Sequence, residues 1–263
     1  MPLPSPDAPS NPDLADRVVL VTGAAGGLGQ ALSLACAQAG ATVILHGRVV
    51  RKLEALYDEI VDGGLPEPVI VPLDFAKAEA EDFATIASAL ESQLGRLDAI
   101  IHTAVQLGTL SPLEHQSFDL WLSGLRINVA APMGLTRALV RLLSKSNDAS
   151  VTFTLDTRGQ APHAYWGSYA VAKAGLNALT TILADEWESR ENLRVNAVVP
   201  GPIRSPLRTQ THPGEERDAL VQPEALVPLY LHLVSGQTKA ESGARIDAQA
   251  WLVGAPSVTS LVP

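Results

Sequence analysis

From residue 17 to residue 199 the chain alternates between short β-branched, apolar runs and longer helical ones. Residues 17–22, 41–46, 68–73, 97–102, 150–155 and 193–199 read as buried strands, because they are apolar on both faces. Helices are expected at 30–39, 49–61, about 78–94, about 114–143 with a kink near Pro132, and 165–190. A further helix at 223–235 and a short strand at 244–248 close the series. Strands that are apolar throughout and separated by helices fit a parallel sheet covered on both faces. The expectation is one α/β, doubly wound domain with a mostly parallel sheet of about seven strands.

The connections are too short for a domain boundary inside 17–251. Residues 1–16 hold five prolines and no apolar period, so they read as a flexible tail. Residues 202–221, rich in Pro, Arg and Thr, read as a substrate loop, and 252–263 as a C-terminal tail that packs on the body or on a second subunit. With 46% hydrophobic residues in 263, the chain can bury a large core. A net charge of −9 argues against a nucleic-acid or anionic-membrane surface. The single cysteine, Cys36, excludes an internal disulfide framework and fits a reducing compartment. No apolar run spans a bilayer and the N-terminus lacks signal-peptide features, so a cytoplasmic protein is expected. No His, Cys or carboxylate cluster has metal-ligand spacing.

Between the first strand and first helix lie Gly23, Gly27 and Gly29. Glycines there let the backbone turn sharply and come close to a phosphate, which the helix N-terminus then attracts. This strand–turn–helix setting predicts a nucleotide site. After the second strand come Arg48, Arg51 and Lys52, with no acid before Glu54. An arginine there suits a ribose 2′-phosphate, so NADP(H) is expected over NAD(H).

Tyr169 and Lys173 stand four residues apart in a helical run and so share one face. An ammonium beside a phenol favours the phenolate and fits the tyrosine for proton transfer to a substrate oxygen.

Together these residues resemble the short-chain dehydrogenase/reductase family, of Rossmann type, from Arg17 to about Ala250. The late stretch from Pro228 and the ending at Asp247 resemble a largely uncharacterised bacterial subgroup. The resemblance implies hydride transfer between a nicotinamide and a small carbonyl or alcohol. It makes Tyr169 the acid/base, Lys173 its pKa-lowering partner and ribose ligand, and Asn128 the backbone support of a water chain. It places Gly23, Gly27, Leu28 and Gly29 at the pyrophosphate, and Asp74 and Phe75 near the adenine. Ala104 and the segment of Pro200, Gly201 and Ile203 fall near the nicotinamide. A homodimer or homotetramer joined through the long helices is implied.

Two positions depart from the family's pattern. Thirteen residues before Tyr169, where a serine is usual, stands Asp156, with Gly159 fixing the register. An ionised aspartate only accepts hydrogen bonds and opposes a developing alkoxide. Four readings stay open: Asp156 protonated and donating; Thr157 or Thr154 replacing the serine; a nucleotide-binding sensor or regulator with weak or lost catalysis; or an aspartate that selects a cationic substrate group. The second departure is His102, Thr103 and Val105 around Ala104, where Asn-Asn-Ala-Gly is usual. A buried, satisfied histidine is expected at His102. Trp166 and Trp121 are candidates for pocket lining or core. Specificity is expected in the 106–115 loop and in 202–221.

Overall fold

The computed structural model describes residue 3, residues 12–236 and residues 242–262. Seven strands run parallel: β1 (Val18–Thr22), β2 (Thr42–Gly47), β3 (Val69–Pro72), β4 (Ala99–His102), β5 (Ala149–Thr154), β6 (Leu193–Val199) and β7 (Ala244–Asp247). Their order is β3-β2-β1-β4-β5-β6-β7, with an eighth strand at the edge. Helices α1 (Gly27–Gln38), α2 (Val50–Asp62) and α3 (Ala80–Leu94) follow the first three strands. After β4 come α4 (Phe118–Leu125) and α5 (Ala131–Leu143); α6 (Gly167–Glu186) follows β5. The series ends with α7 (Pro206–Thr211), α8 (Val227–Val234) and α9 (Ala248–Leu252).

The sheet divides two cores, as apolar strands require. Val19, Val21, Val43 and Leu45 face α1 and α8, while Leu20, Ile44, Ile100 and Val151 face α3 and α5. The strand order reverses between β1 and β4, which opens a crevice at the carboxyl ends of the strands.

Four features differ from the sequence reading. The 114–143 helix is not continuous: Leu113–His115 is a separate 3-10 turn, and a π segment, Arg126–Ala130, joins α4 to α5. Pro132 sits at the start of α5, where it has no N–H for the carbonyl of Asn128. The 252–263 tail contributes β8 (Val258–Ser260), antiparallel to β7. The 202–221 loop contains α7 and is closed at its base by an Ile203–Val221 bridge. Within 1–16, Leu14 is fully buried and its N–H donates to the Ala39 carbonyl, because an apolar side chain fits beside α1. The rest of that expected tail, residues 1, 2 and 4–11, lies outside the described residues.

Candidate active site

The glycine turn is shaped by contacts that no side chain would survive. Gly23 has φ +68°, and a Cβ there would lie 2.8 Å from the Ala104 Cα. A Cβ on Gly29 would meet the Gly23 carbonyl oxygen. Gly27 is less confined, with Pro206 Cδ at 3.5 Å from a Cβ. No side chain caps the start of α1, so its first N–H groups are available to an anion. The end of β1 is tied to that of β4 through Thr22: its Oγ1 accepts from the Thr103 and Ala104 N–H groups at 3.2 Å, and its carbonyl accepts from Thr103 Oγ1 at 2.6 Å.

From this turn a cleft of about 710 Å³ runs to α6 and the 202–221 segment. It brings together Gly23, Gly27, Leu28, Gly29 and Arg48 with Asp156, Thr157, Tyr169 and Lys173, and with Pro200, Gly201 and Ile203. Asp74, Phe75, Ala104 and Asn128 do not line it. Phe75 is buried, stacked on His46 at 4.2 Å, so its side chain serves the core. Asn128 clamps the backbone of Gln106, accepting from its N–H at 2.8 Å and donating to its carbonyl at 2.7 Å. Its side chain thereby fixes the loop that forms one wall.

Asp156 follows β5, on the turn leading into Thr157–Gly159. That turn lies on α6: a Cβ on Gly159 would come 2.7 Å from the Lys173 carbonyl carbon. Glycine thus sets how closely Asp156 approaches the helix. Asp156 Oδ2 accepts from Tyr169 Oη at 2.8 Å, and Oδ1 accepts from the Arg158 N–H at 2.8 Å and from Thr157 Oγ1 at 3.3 Å. Lys173 Nζ donates to the Thr154 carbonyl at 2.7 Å and lies 5.7 Å from the Tyr169 ring centre. The Thr154 hydroxyl is joined to Tyr230 at 3.0 Å, and Thr157 spends its proton on Asp156. Both threonine hydroxyls are thus hydrogen-bonded to groups other than Tyr169.

These contacts reverse one expectation. The phenol of Tyr169 is held well above its ordinary pKa, first by burial, then by the charge of Asp156 and the hydrogen bond to it. The Lys173 ammonium donates to the Thr154 carbonyl and not to the phenol oxygen. Burial pushes Lys173 itself down to about 8, against an upward pull from Asp156.

Trp166, a candidate for pocket lining, and the unpredicted Arg158, Arg208 and Gln249 complete the walls. Arg158 lies over the Trp166 ring at 4.8 Å, and both line the cleft, whereas Trp121 does not. Arg208 lines it too, held by Glu215 through two hydrogen bonds of 2.5 and 2.6 Å. Gln249 donates to the Pro200 carbonyl at 2.7 Å, and a Cβ on Gly201 would collide with it. Arg158–Trp166 and Arg208–Glu215 lie in segments without a periodic pattern, and Gln249 is 49 residues from Pro200, so spacing gave no signal for these pairs. His102 is only half satisfied: Nε2 meets Thr136 Oγ1 at 2.9 Å, while Nδ1 is buried without a partner.

The sequence model described as short chain dehydrogenase matches residues 17–216. The chain belongs to the short chain dehydrogenase family. Within this family it is 36% identical over 236 residues to the uncharacterized oxidoreductase YciK of Escherichia coli (strain K12), covering 90% of this chain and 93% of YciK. A short chain dehydrogenase structure from Pseudomonas syringae superposes with a TM-score of 0.89 at 36% identity, covering 95% of this chain and 99% of that one. One from Shigella flexneri 2a str. 301, complexed with NADP, gives a TM-score of 0.87 at 35% identity, covering 91% and 100%. As a short chain dehydrogenase the chain is an oxidoreductase.

Proposed function

We propose that the protein is an NADP(H)-preferring oxidoreductase that transfers hydride to and from a small molecule, with Tyr169 and Lys173 at the reacting end of the cleft. The observation that carries this is one continuous cleft joining the glycine turn and Arg48 to Tyr169, Lys173 and Pro200–Gly201. The cradle at Gly23 and Gly29 has no space for side chains, and α1 starts uncapped, so these residues fit a pyrophosphate. Arg48, exposed at the end of β2, fits a 2′-phosphate through paired hydrogen bonds. When bound, the nicotinamide supplies the hydride. Asp74 lies beyond the cleft and would touch only the outer edge of the adenine; Lys173 would turn from Thr154 to a ribose hydroxyl. Tyr169 would hold or pass the proton at the substrate heteroatom, a carbonyl or alcohol oxygen in the family's usual chemistry.

A second reading has its own support. The Tyr169–Asp156 hydrogen bond raises the phenol pKa, which weakens carbonyl chemistry and favours a nucleotide-binding sensor or regulator. Phe118, Leu122, Val171 and Ile182, exposed on α4 and α6, support a homo-oligomer through these helices. No helix among the described residues is long and apolar enough to cross a membrane; we place the protein in the cytoplasm.

Fluorescence titration with NADPH and NADH tests the nucleotide assignment. NADPH should bind about tenfold or more tightly than NADH, and Arg48→Glu should reverse the order. Equal affinities that Arg48→Glu leaves unchanged sink the NADP(H) preference. Loss of NADPH absorbance with a panel of small carbonyl and imine compounds then separates enzyme from sensor.

A further inference from the structure

Asp156 is a cleft-lining carboxylate that no cation touches, Lys173 acting on it only at a distance. Its three hydrogen-bond donors, Tyr169 Oη, the Arg158 N–H and Thr157 Oγ1, are all neutral. None of the ion pairs among the described residues includes it. The surrounding cations are engaged elsewhere: Lys173 on the Thr154 carbonyl, Arg158 on the Trp166 ring and Arg208 on Glu215. Three donors also leave room, since a carboxylate offers about four acceptor positions. Arg48 and His212 line the same cleft, but neither is bonded to Asp156.

An anion at this place is a poor neighbour for a carbonyl. Reduction of a ketone builds negative charge on oxygen beside Tyr169, where Asp156 repels it. Reduction of a protonated C=N group builds none. The carbon gains a hydride, the π pair becomes the nitrogen lone pair, and the positive charge is lost without a proton transfer. The electrons come from the reduced nicotinamide nucleotide of the proposed function, which leaves oxidised; the amine then takes a proton from water and is again a cation. A carboxylate also favours the protonated imine over the neutral one, and the protonated form is the better hydride acceptor.

We propose that Asp156 selects a cationic nitrogen next to the reacting carbon, so that the substrate pair is an iminium ion and its amine rather than a ketone and its alcohol. This rests on the proposed function for the hydride, and on the Asp156 geometry alone for the cation. Asp156 receives the substrate N–H at its open acceptor position, and the Tyr169 hydroxyl orients the carboxylate towards it.

Two probes of one shape isolate the charge: piperidinium and its neutral oxygen analogue, tetrahydropyran, measured by ligand-detected NMR at neutral pH with and without NADP+. The wild-type protein should bind piperidinium about tenfold or more tightly. Asp156→Ser and Asp156→Asn should each erase that preference, with circular dichroism and melting temperature showing that the variants are folded. In turnover, 2-methyl-1-pyrroline should be reduced faster than cyclopentanone, and Asp156→Ser should invert the ratio. Equal binding of the two probes, or a preference that survives both substitutions, overturns the inference. Failure to bind NADPH while the piperidinium preference remains would remove the proposed function and leave the cation site standing.

Discussion

Tyr169 Oη donates to Asp156 Oδ2 at 2.8 Å, so the residue expected to receive or release the substrate's proton is bonded to an anion. Tyr169 is almost wholly buried, at 1% exposure, which leaves water little chance to compete for that bond. The consequence is a phenol that gives up its proton only well above the ordinary tyrosine range.

Asp156→Ser removes both the charge and its acceptor oxygen, leaving burial as the main upward influence on the phenol. The Tyr169 pKa should fall, seen as phenolate absorbance appearing at lower pH than in the wild type, with Tyr169→Phe identifying the signal. Tyr169→Phe should also reduce carbonyl turnover by roughly 10²–10⁴-fold, the usual scale of a lost general acid, and iminium turnover much less, since that step transfers no proton. A phenolate titration that Asp156→Ser does not move would show that Asp156 does not control the tyrosine.

Lys173 gives a second titration with a definite sign. Its folded pKa of about 8 lies below the ordinary 10.5, so between these values the unfolded chain holds a proton that the folded one has released. Stability therefore rises with pH across that window, and the burial cost, about 3 kcal/mol, is in full force below it. Nucleotide affinity, which depends on the ammonium, should run the other way and weaken as pH passes about 8. Asp156 raises the Lys173 pKa, so Asp156→Ser should shift the NADPH-binding midpoint to lower pH in fluorescence titrations. A midpoint that moves upward would contradict this coupling.

Much of this architecture was legible because it rests on local pattern. Strand alternation gave the parallel sheet, and the spacing of Gly23, Gly27 and Gly29 gave the turn. The family resemblance, which sets position 156 thirteen before Tyr169, places the two together, and they are hydrogen-bonded. What was not legible depends on contacts made across the fold. The break at Arg126–Ala130 has no composition signal beyond Pro132. The strand Val258–Ser260 is three exposed residues held by backbone pairing to β7, with no apolar alternation to betray it. Lys173 looked like the partner of Tyr169 from helix spacing, yet the carbonyl at the end of β5 takes its ammonium. Phe75 followed the right strand, but His46, from the neighbouring strand, draws its ring into the core.

The glycine turn separates folding from binding. Ala at position 29 sets a methyl against the Gly23 carbonyl oxygen, a backbone atom that cannot yield cheaply. Gly29→Ala should cost about 2–3 kcal/mol in stability and abolish NADPH binding, in line with overpacked buried sites. At Gly27 the nearest atom to a Cβ is Pro206 Cδ at 3.5 Å, an ordinary contact. Gly27→Ala should keep the melting temperature, or raise it slightly through better helix propensity. It should nonetheless weaken NADPH by about tenfold, because the methyl occupies the cleft floor where the backbone must approach a phosphate. Equal losses of stability in the two variants would refute this division.

His46 and His102 pair with Thr22 from either side of β1, buried at 2% and 3% exposure. His46 stacks on Phe75 and neither ring nitrogen has a partner of normal geometry, its own backbone being the only favourable influence on the charged form. Burial pushes its pKa down to about 4, and that of His102 down to about 3, where His46 and Lys173 add to the effect. Both lie below the ordinary 6.5, so the unfolded chain binds protons that the folded chain refuses as pH falls below that value. Stability is full above about pH 6.5 and declines as pH drops towards 4 and then 3. The loss at His46 amounts to about 3 kcal/mol. His46→Leu removes one titrating ring together with its unpaired nitrogens and keeps an apolar neighbour for Phe75. It should flatten the acid limb of melting temperature against pH between 6.5 and 4 and raise the neutral-pH value, an unpaired buried polar group costing about 1–3 kcal/mol. An acid limb as steep in His46→Leu as in the wild type would place the acid sensitivity elsewhere.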